Sequence, residues 1–193
     1  FSNGIAMNIA GGTHHAFSNR GEAFCMLNDQ AIGAKYLQNK GLVDKILIVD
    51  LDVHQGNGTA EIFRNDNSVF TFSMHGKSNY PFQKEISDLD IPLENDTKDE
   101  EYLSILKETL PRLISQEKPD FIYYLCGVDV IETDKLGKLG LTIEGCKERD
   151  RFVLQTCFDS KIPVNNSALL IPGLTQTCVA DRHSLYNIHS SSD

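Results

Sequence analysis

Three short apolar runs stand out along the chain: Lys45 to Leu51 (KILIVDL), Val69 to Met74 (VFTFSM) and Phe121 to Cys126 (FIYYLC). Each is rich in Ile, Val, Phe or Tyr and is flanked by turn-forming or charged residues, a pattern that predicts buried strands. Between them the apolar spacing turns helical. Asp29 to Lys40 spaces Ala31, Ile32, Ala34, Tyr36 and Leu37 along one face, and Gly41 follows as a stop. Asp99 to Ile114 carries Tyr102, Leu103, Ile105, Leu106, Leu110 and Leu113. Thr142 to Phe158 carries Phe152, Val153 and Leu154 behind a Thr142-x-x-Gly145 cap that lacks an acidic partner. Strands alternating with helices predict an α/β fold with a parallel central sheet flanked by helices. Pro and acidic residues gathered between Lys77 and Lys98 predict a long surface connection.

The 193 residues suffice for one domain with a core. The net charge of −9, from 27 acidic and 18 basic residues, leaves no excess of Lys or Arg to neutralise phosphates, so direct nucleic-acid binding is not expected. Five cysteines without paired spacing do not form a secreted disulfide framework. No apolar run approaches membrane-spanning length, and the start, Phe1-Ser-Asn-Gly4, has no basic region leading into an apolar one. The expectation is a chain that is not secreted and has no membrane partner, located in the cytoplasm or, in a eukaryote, the nucleus.

Chemistry concentrates at Asp50-Leu-Asp52-Val-His54-Gln-Gly56-Asn57-Gly58. Here an apolar strand ends in two acids and a His at alternate positions. Alternate residues of an extended chain share a face, and in α/β sheets ligands bind beyond the carboxyl ends of the strands. Asp oxygen and His nitrogen suit zinc, whose catalytic sites keep one position open for water. Taken alone, the motif fits a metal site and a solvated strand end equally. A second strand end shifts the balance toward a metal site: Phe121 to Cys126 runs into Gly127-Val-Asp129, so Asp52, His54 and Asp129 form a candidate three-ligand set. Glu132 and Asp134 are expected to face solvent or pair with a loop, and His75 to be structural. Gly11-Gly12-Thr13-His14-His15 adds a flexible turn and two adjacent His, candidates for a general base and a general acid.

In this order the motifs resemble the zinc-dependent histone deacetylase family, on an arginase/deacetylase-like fold, over nearly the whole chain to about Pro163. Gly11-Gly-Thr-His-His-Ala16 and Phe24-Cys-Met-Leu-Asn-Asp29 are similar to the family's dyad loop and following helix start. Asp50 to Thr59 is similar to its metal strand, and Gly127 to Gly137 with Leu141-Thr142 to its second metal segment. Ser87-Asp-Leu-Asp90 and Asp99-Glu-Glu-Tyr102 recur there in order. The Gln55-Gly-Asn57 variant and Gly145-x-x-x-Arg149-Asp150 resemble the class IV branch and its bacterial relatives more than class I. The resemblance implies zinc on Asp52, His54 and Asp129, a proton-handling pair His14 and His15, and Asp50 orienting His14. Asn57 stands where some members carry an acid paired with the second His. Phe24 and Gly127 are implied at the substrate channel, and a structural potassium ion near Asp50, His54 and Ser73. The implied reaction is hydrolysis of an acyl-lysine amide, on a protein or a small acylated amine.

Two departures qualify this reading. The family's Gly-Gly-Tyr turn, whose Tyr hydrogen-bonds the oxyanion, is missing: after Lys161-Ile-Pro-Val164 the chain reads Asn165 to Cys178 without a Tyr, and resemblance resumes at Val179. Losing one oxyanion donor costs about 10²–10³ in kcat. Resemblance that stops and restarts this closely suggests two compensating reading-frame errors or mutations. The codons of Pro172 to Gln176, shifted, encode a Gly-Ala-Tyr turn for suitable third bases. Ala23 stands where the family usually has Gly. The chain also starts well inside the family's domain, so 1–193 reads as one partial catalytic domain with 165–178 divergent. Two alternatives remain: a catalytically impaired zinc-binding or interaction domain, and a two-metal ureohydrolase. Gly56 and Ile131 occupy the positions where a ureohydrolase needs bridging carboxylates.

Overall fold

In a computed structural model that describes residues 4–9 and 11–167, the elements run β1 (Ile5–Asn8), α1 (Asp29–Asn39), β2 (Ile46–Asp50), α2 (Asn57–Phe63), β3 (Val69–Gly76), β4 (Leu89–Leu93), α3 (Asp99–Glu117), β5 (Phe121–Leu125), α4 (Ile143–Asp159) and β6 (Val164–Ser167). The six strands form one sheet in the order β1-β6-β5-β2-β3-β4, and every pairing is parallel.

The central strands β2 and β5 are buried along their whole length. Their side chains alternate between two layers. Leu47, Val49, Ile122 and Tyr124 pack with Leu106 and Leu110 of α3 and Val153 of α4. Ile46, Ile48, Phe121, Tyr123 and Leu125 pack with Ala31 and Ala34 of α1 and with Phe63. This is the parallel α/β sheet covered on both faces that the sequence predicts.

Local differences from the sequence reading have simple causes. On α1, Ala31 and Ala34 are buried, but Ile32 and Tyr36 are 54% and 58% exposed, because at about 100° per residue they form a second stripe turned away from the sheet. The 77–98 connection contains the edge strand β4. Its Pro92 is tolerated there because an edge needs fewer amide donors. The cap of α4 does have an acidic partner, from another helix: Thr142 Oγ1 accepts from Gly145 N at 2.9 Å and donates to Asp99 of α3 at 2.6 Å.

One group crosses between layers. Arg149 of α4 is fully buried and donates to the carbonyls of Leu51 (3.1 Å) and Gly127 (2.7 Å), just beyond the ends of β2 and β5. Asp150 accepts from Arg149 Nε at 2.9 Å and from the Tyr124 hydroxyl at 2.6 Å. This cation ties together the two strand ends that carry the candidate ligands.

Candidate metal centre and active site

Four carboxyl-terminal strand ends meet above the sheet. The loop after β1 carries His14 and His15, the stretch after β2 carries Asp52 and His54, the loop after β3 carries Tyr80, and the stretch after β5 carries Asp129. The His loop is clamped on both sides. Asp29, first residue of α1, accepts from the amides of Gly12 (3.1 Å) and Thr13 (2.9 Å) and from Thr13 Oγ1 (2.8 Å). Thr59 of α2 donates its amide to His14 O at 3.1 Å, and a Cβ on Gly58 would lie 2.2 Å from Ala16 O. Only a glycine lets α2 approach the loop this closely.

Asp52, His54 and Asp129 offer ligand atoms that all lie within 4.8 Å of one another. His54 Nδ1 is 3.1 Å from both Asp52 Oδ1 and Asp129 Oδ2. A Cβ on Gly127 would lie 2.1 Å from Asp52 Oδ2 and 2.9 Å from Asp129 Oδ1, so the missing side chain is what lets the two carboxylates converge. Burial and the charge of Asp52 raise the Asp129 carboxyl to about 6. Burial opposes ionisation of Asp52 as well, but the His14 and His54 charges hold it well below the usual carboxylate range. Against burial, hydrogen bonds to Asp129 and Asp52 raise His54 to about 10. Two converging carboxylates and an imidazole are the donor set that a divalent cation such as zinc accepts, and the electrostatic strain on Asp129 is of the sign a cation relieves.

The same arrangement fixes a pH dependence. A cation must displace the proton that His54 shares with the carboxylates, since only neutral imidazole ligates. Between about pH 6 and pH 10, one proton should leave per cation bound, and affinity should rise roughly tenfold per pH unit. Below about pH 6, Asp129 must also lose a proton and the dependence steepens. Titration calorimetry in buffers of different ionisation heat counts the protons directly; a heat independent of buffer at neutral pH would contradict this account.

His14 Nδ1 is 2.7 Å from Asp50 Oδ2, and His15 Nδ1 is 2.7 Å from Asn57 Oδ1. The two rings lie 4.2 Å apart. Burial alone would discharge His14, but Asp50 outweighs it and raises the pKa to about 9. Burial and the neighbouring His14 charge lower His15 to about 3. All these groups except Asp50 and Asn57 line one cavity of about 490 Å³, whose walls include Phe24, Cys25, Tyr80, Phe82, Val128 and Leu136.

The structure thus brings together Asp52, His54, Asp129, His14, His15 and Asp50. Phe24 is 74% exposed and lies on the cavity wall. Gly127, expected at the channel, is not among the lining residues and acts beneath it, as spacer between the two carboxylates. Ser73 pairs in register with Asp50 across β2 and β3, and its Oγ hydrogen-bonds His75 Nδ1 at 2.9 Å; His75 is buried outside the ligand set. Asp134 accepts from the amides of Leu136 (2.7 Å) and Gly137 (2.8 Å), and Glu132 pairs with Lys98. His183, His189 and Asn165 to Cys178 beyond Ser167 lie outside the described residues. Sequence reasoning missed Glu22, Tyr80 and Phe82. A tyrosine and a phenylalanine flanking Pro81 inside an otherwise polar connection were the available signal.

Ala23 has φ 50, a left-handed conformation that costs a residue with a Cβ about 1–2 kcal/mol. It sits in a turn closed by reciprocal Glu22–Cys25 backbone hydrogen bonds (3.0 and 2.9 Å). This explains physically why glycine is the usual residue of the resembled pattern there.

The family model for the histone deacetylase domain matches residues 1–167. The chain belongs to the histone deacetylase family. That match ends at Ser167. The chain is 51% identical over 185 residues to an uncharacterized protein of Picosynechococcus sp., covering 94% of this chain and 61% of that one. It is 31% identical to Histone deacetylase 2 of Arabidopsis thaliana, over 83% of this chain and 42% of the relative. It is 36% identical to acetoin utilization protein AcuC of Staphylococcus aureus, over 75% and 40%. Among solved structures, that of the HDA15 HD domain superposes with a TM-score of 0.72 at 26% identity, over 91% of this chain and 53% of that one. The chain therefore spans about 40–60% of the length of these curated relatives.

Proposed function

We propose that this chain is the core of a zinc-dependent amidohydrolase that removes the acyl group from a lysine amine, on a histone or other protein or on a small acylated amine. The observation that carries this reading is the convergence of Asp52, His54, Asp129, His14 and His15 on one cavity. Asp52, His54 and Asp129 would hold zinc, which when bound would supply Lewis acidity toward an acyl carbonyl and a water. His15, neutral, takes up the proton that the attacking water loses, and His14, kept protonated by Asp50, offers one to the departing amine. Phe24, Tyr80, Phe82 and Leu136 give walls suited to the methylenes of a lysine stem. The Tyr80 hydroxyl is committed to Glu22 at 2.7 Å and does not replace the missing oxyanion donor. The name of the Arabidopsis relative, Histone deacetylase 2, agrees with this reaction class. With it go a potassium ion near Asp50, His54 and Ser73 and a single partial catalytic domain over 1–193.

Hydrolysis of an acetyl-lysine peptide should appear with zinc, vanish with a chelator and return when zinc is restored. A folded chain that binds zinc at these ligands yet turns over no acyl-lysine substrate would sink the catalytic part of the proposal.

A further inference from the structure

The second His of the pair is oriented by an amide, and an amide can turn either end toward it. Asn57 Oδ1 is 2.7 Å from His15 Nδ1, while Asn57 Nδ2 donates to Glu22 Oε1 at 2.8 Å. Glu22 is held in turn. Its Oε1 also accepts from the Tyr80 hydroxyl at 2.7 Å, and its Oε2 accepts from Arg20 at 3.1 and 3.3 Å. The Tyr80 hydrogen bond, with those from Asn57 and Arg20, keeps this carboxyl below its ordinary range, so Glu22 is ionised and can only accept. Turning the Asn57 amide over would set its oxygen against the carboxylate 2.8 Å away. The amide therefore has one orientation, and its oxygen must receive a proton from His15 Nδ1.

We propose that Glu22 is a positioning residue for the hydrolytic site: through Asn57 it locks His15 as the Nδ1–H tautomer and leaves Nε2 as the free base. The inference rests on the proposed amidohydrolase reading for its purpose, but not for its geometry. A carboxylate in direct contact with His15 would set the same tautomer, and here the charge stands one hydrogen bond further out. Tyr80, whose ring meets His15 edge-on at 5.0 Å, links the cavity wall to the same carboxylate.

The test reads the tautomer directly, by long-range ¹H–¹⁵N NMR of the ¹⁵N-histidine-labelled chain near neutral pH, with His15 assigned by its loss in His15→Gln. The wild-type chain should show a protonated Nδ1 and an unprotonated Nε2. The reverse pattern overturns the proposal without any variant. Glu22→Gln keeps an acceptor oxygen and should keep the tautomer. Glu22→Met frees the amide, and the Nδ1–H form should fall to a minor or mixed population. Adding Asn57→Asp, which restores an acceptor beside His15, should bring it back. A merely structural role for the Glu22 turn predicts no such recovery, and an unchanged tautomer in Glu22→Met refutes the idea. If the chain hydrolyses acetyl-lysine, Glu22→Met should lower kcat at least tenfold with KM little changed, and the double variant should regain most of the loss. If it hydrolyses nothing, the function reading fails while the tautomer result still decides this proposal.

Discussion

Asp129→Asn should eliminate cation binding and reduce hydrolysis to background while leaving the unfolding midpoint of the chain unchanged or higher. Asn has the same shape and keeps an oxygen for the Val53 amide, which Asp129 accepts at 3.2 Å. It lacks the charge that makes the third ligand. Loss of a partner behind a metal ligand typically costs 10–100-fold in affinity or activity, and loss of a ligand itself should exceed that. The stability half of the expectation follows from electrostatics. Burial and Asp52 raise Asp129 to about 6, so its ionised form is disfavoured in the fold relative to the unfolded chain. At neutral pH the carboxylate is kept there at a cost in stability, offset in part by His54. Removing the charge relieves that cost. Thermal unfolding with a chelator present, set beside zinc titration of the same sample, checks both halves. A variant that unfolds several degrees lower would mean that Asp129 serves the fold rather than a ligand.

Arg149→Met should destabilise the chain by roughly 3–5 kcal/mol, as expected when one partner of a buried pair is removed. Met fills much of the aliphatic volume, so the loss isolates the guanidinium. Without it, the Asp150 carboxylate is left buried with the Tyr124 hydroxyl at 2.6 Å, and the Leu51 and Gly127 carbonyls lose their donor. For a domain of this size about 1 kcal/mol shifts Tm by roughly 2–4 °C, so the midpoint should fall by about 10 °C. Arg149→Met with Asp150→Leu should recover part of the loss, because replacing both charges removes the desolvated carboxylate. Urea unfolding of the single and double variants measures it; a single variant within 1 kcal/mol of wild type would refute the bridging role.

The element pattern and the site were legible to different depths. β2, β3 and β5 announce themselves because a parallel sheet buried on both faces leaves continuous apolar runs. The edge strands β1 and β4 do not: Ile5–Asn8 is largely exposed, and Leu89–Leu93 is interrupted by Asp90 and Pro92. α2 is masked by Gly56 and Gly58, which read as loop residues although Gly58 is there for close packing. Asp52, His54 and Asp129 were legible because strand ends converge in this architecture; His14 and His15 stood out as an adjacent pair after Gly11-Gly12, and the resemblance supplied the orienting role of Asp50. Glu22 and Tyr80 were not, because the contacts that give them a role, Glu22 with Asn57 and with Tyr80, join residues 35 and 58 positions apart. Arg149 was read only as part of a family pattern. A charged residue on a mostly polar helix gives no sign of pointing inward unless its partners, two carbonyls at distant strand ends, are already placed.

Two glycines of this chain would answer differently to random mutagenesis. Gly41, with φ 64 and nothing within 4 Å of an added Cβ, is restricted by backbone angle alone. Asn, which visits the left-handed region at little cost, should be accepted there. Gly127 is restricted by space, since its added Cβ would meet the Asp52 carboxylate at 2.1 Å. No substitution is small enough. In a library screened for cation retention, position 41 should return a narrow set of replacements and position 127 none, because a carbon added there displaces a candidate ligand rather than a bystander.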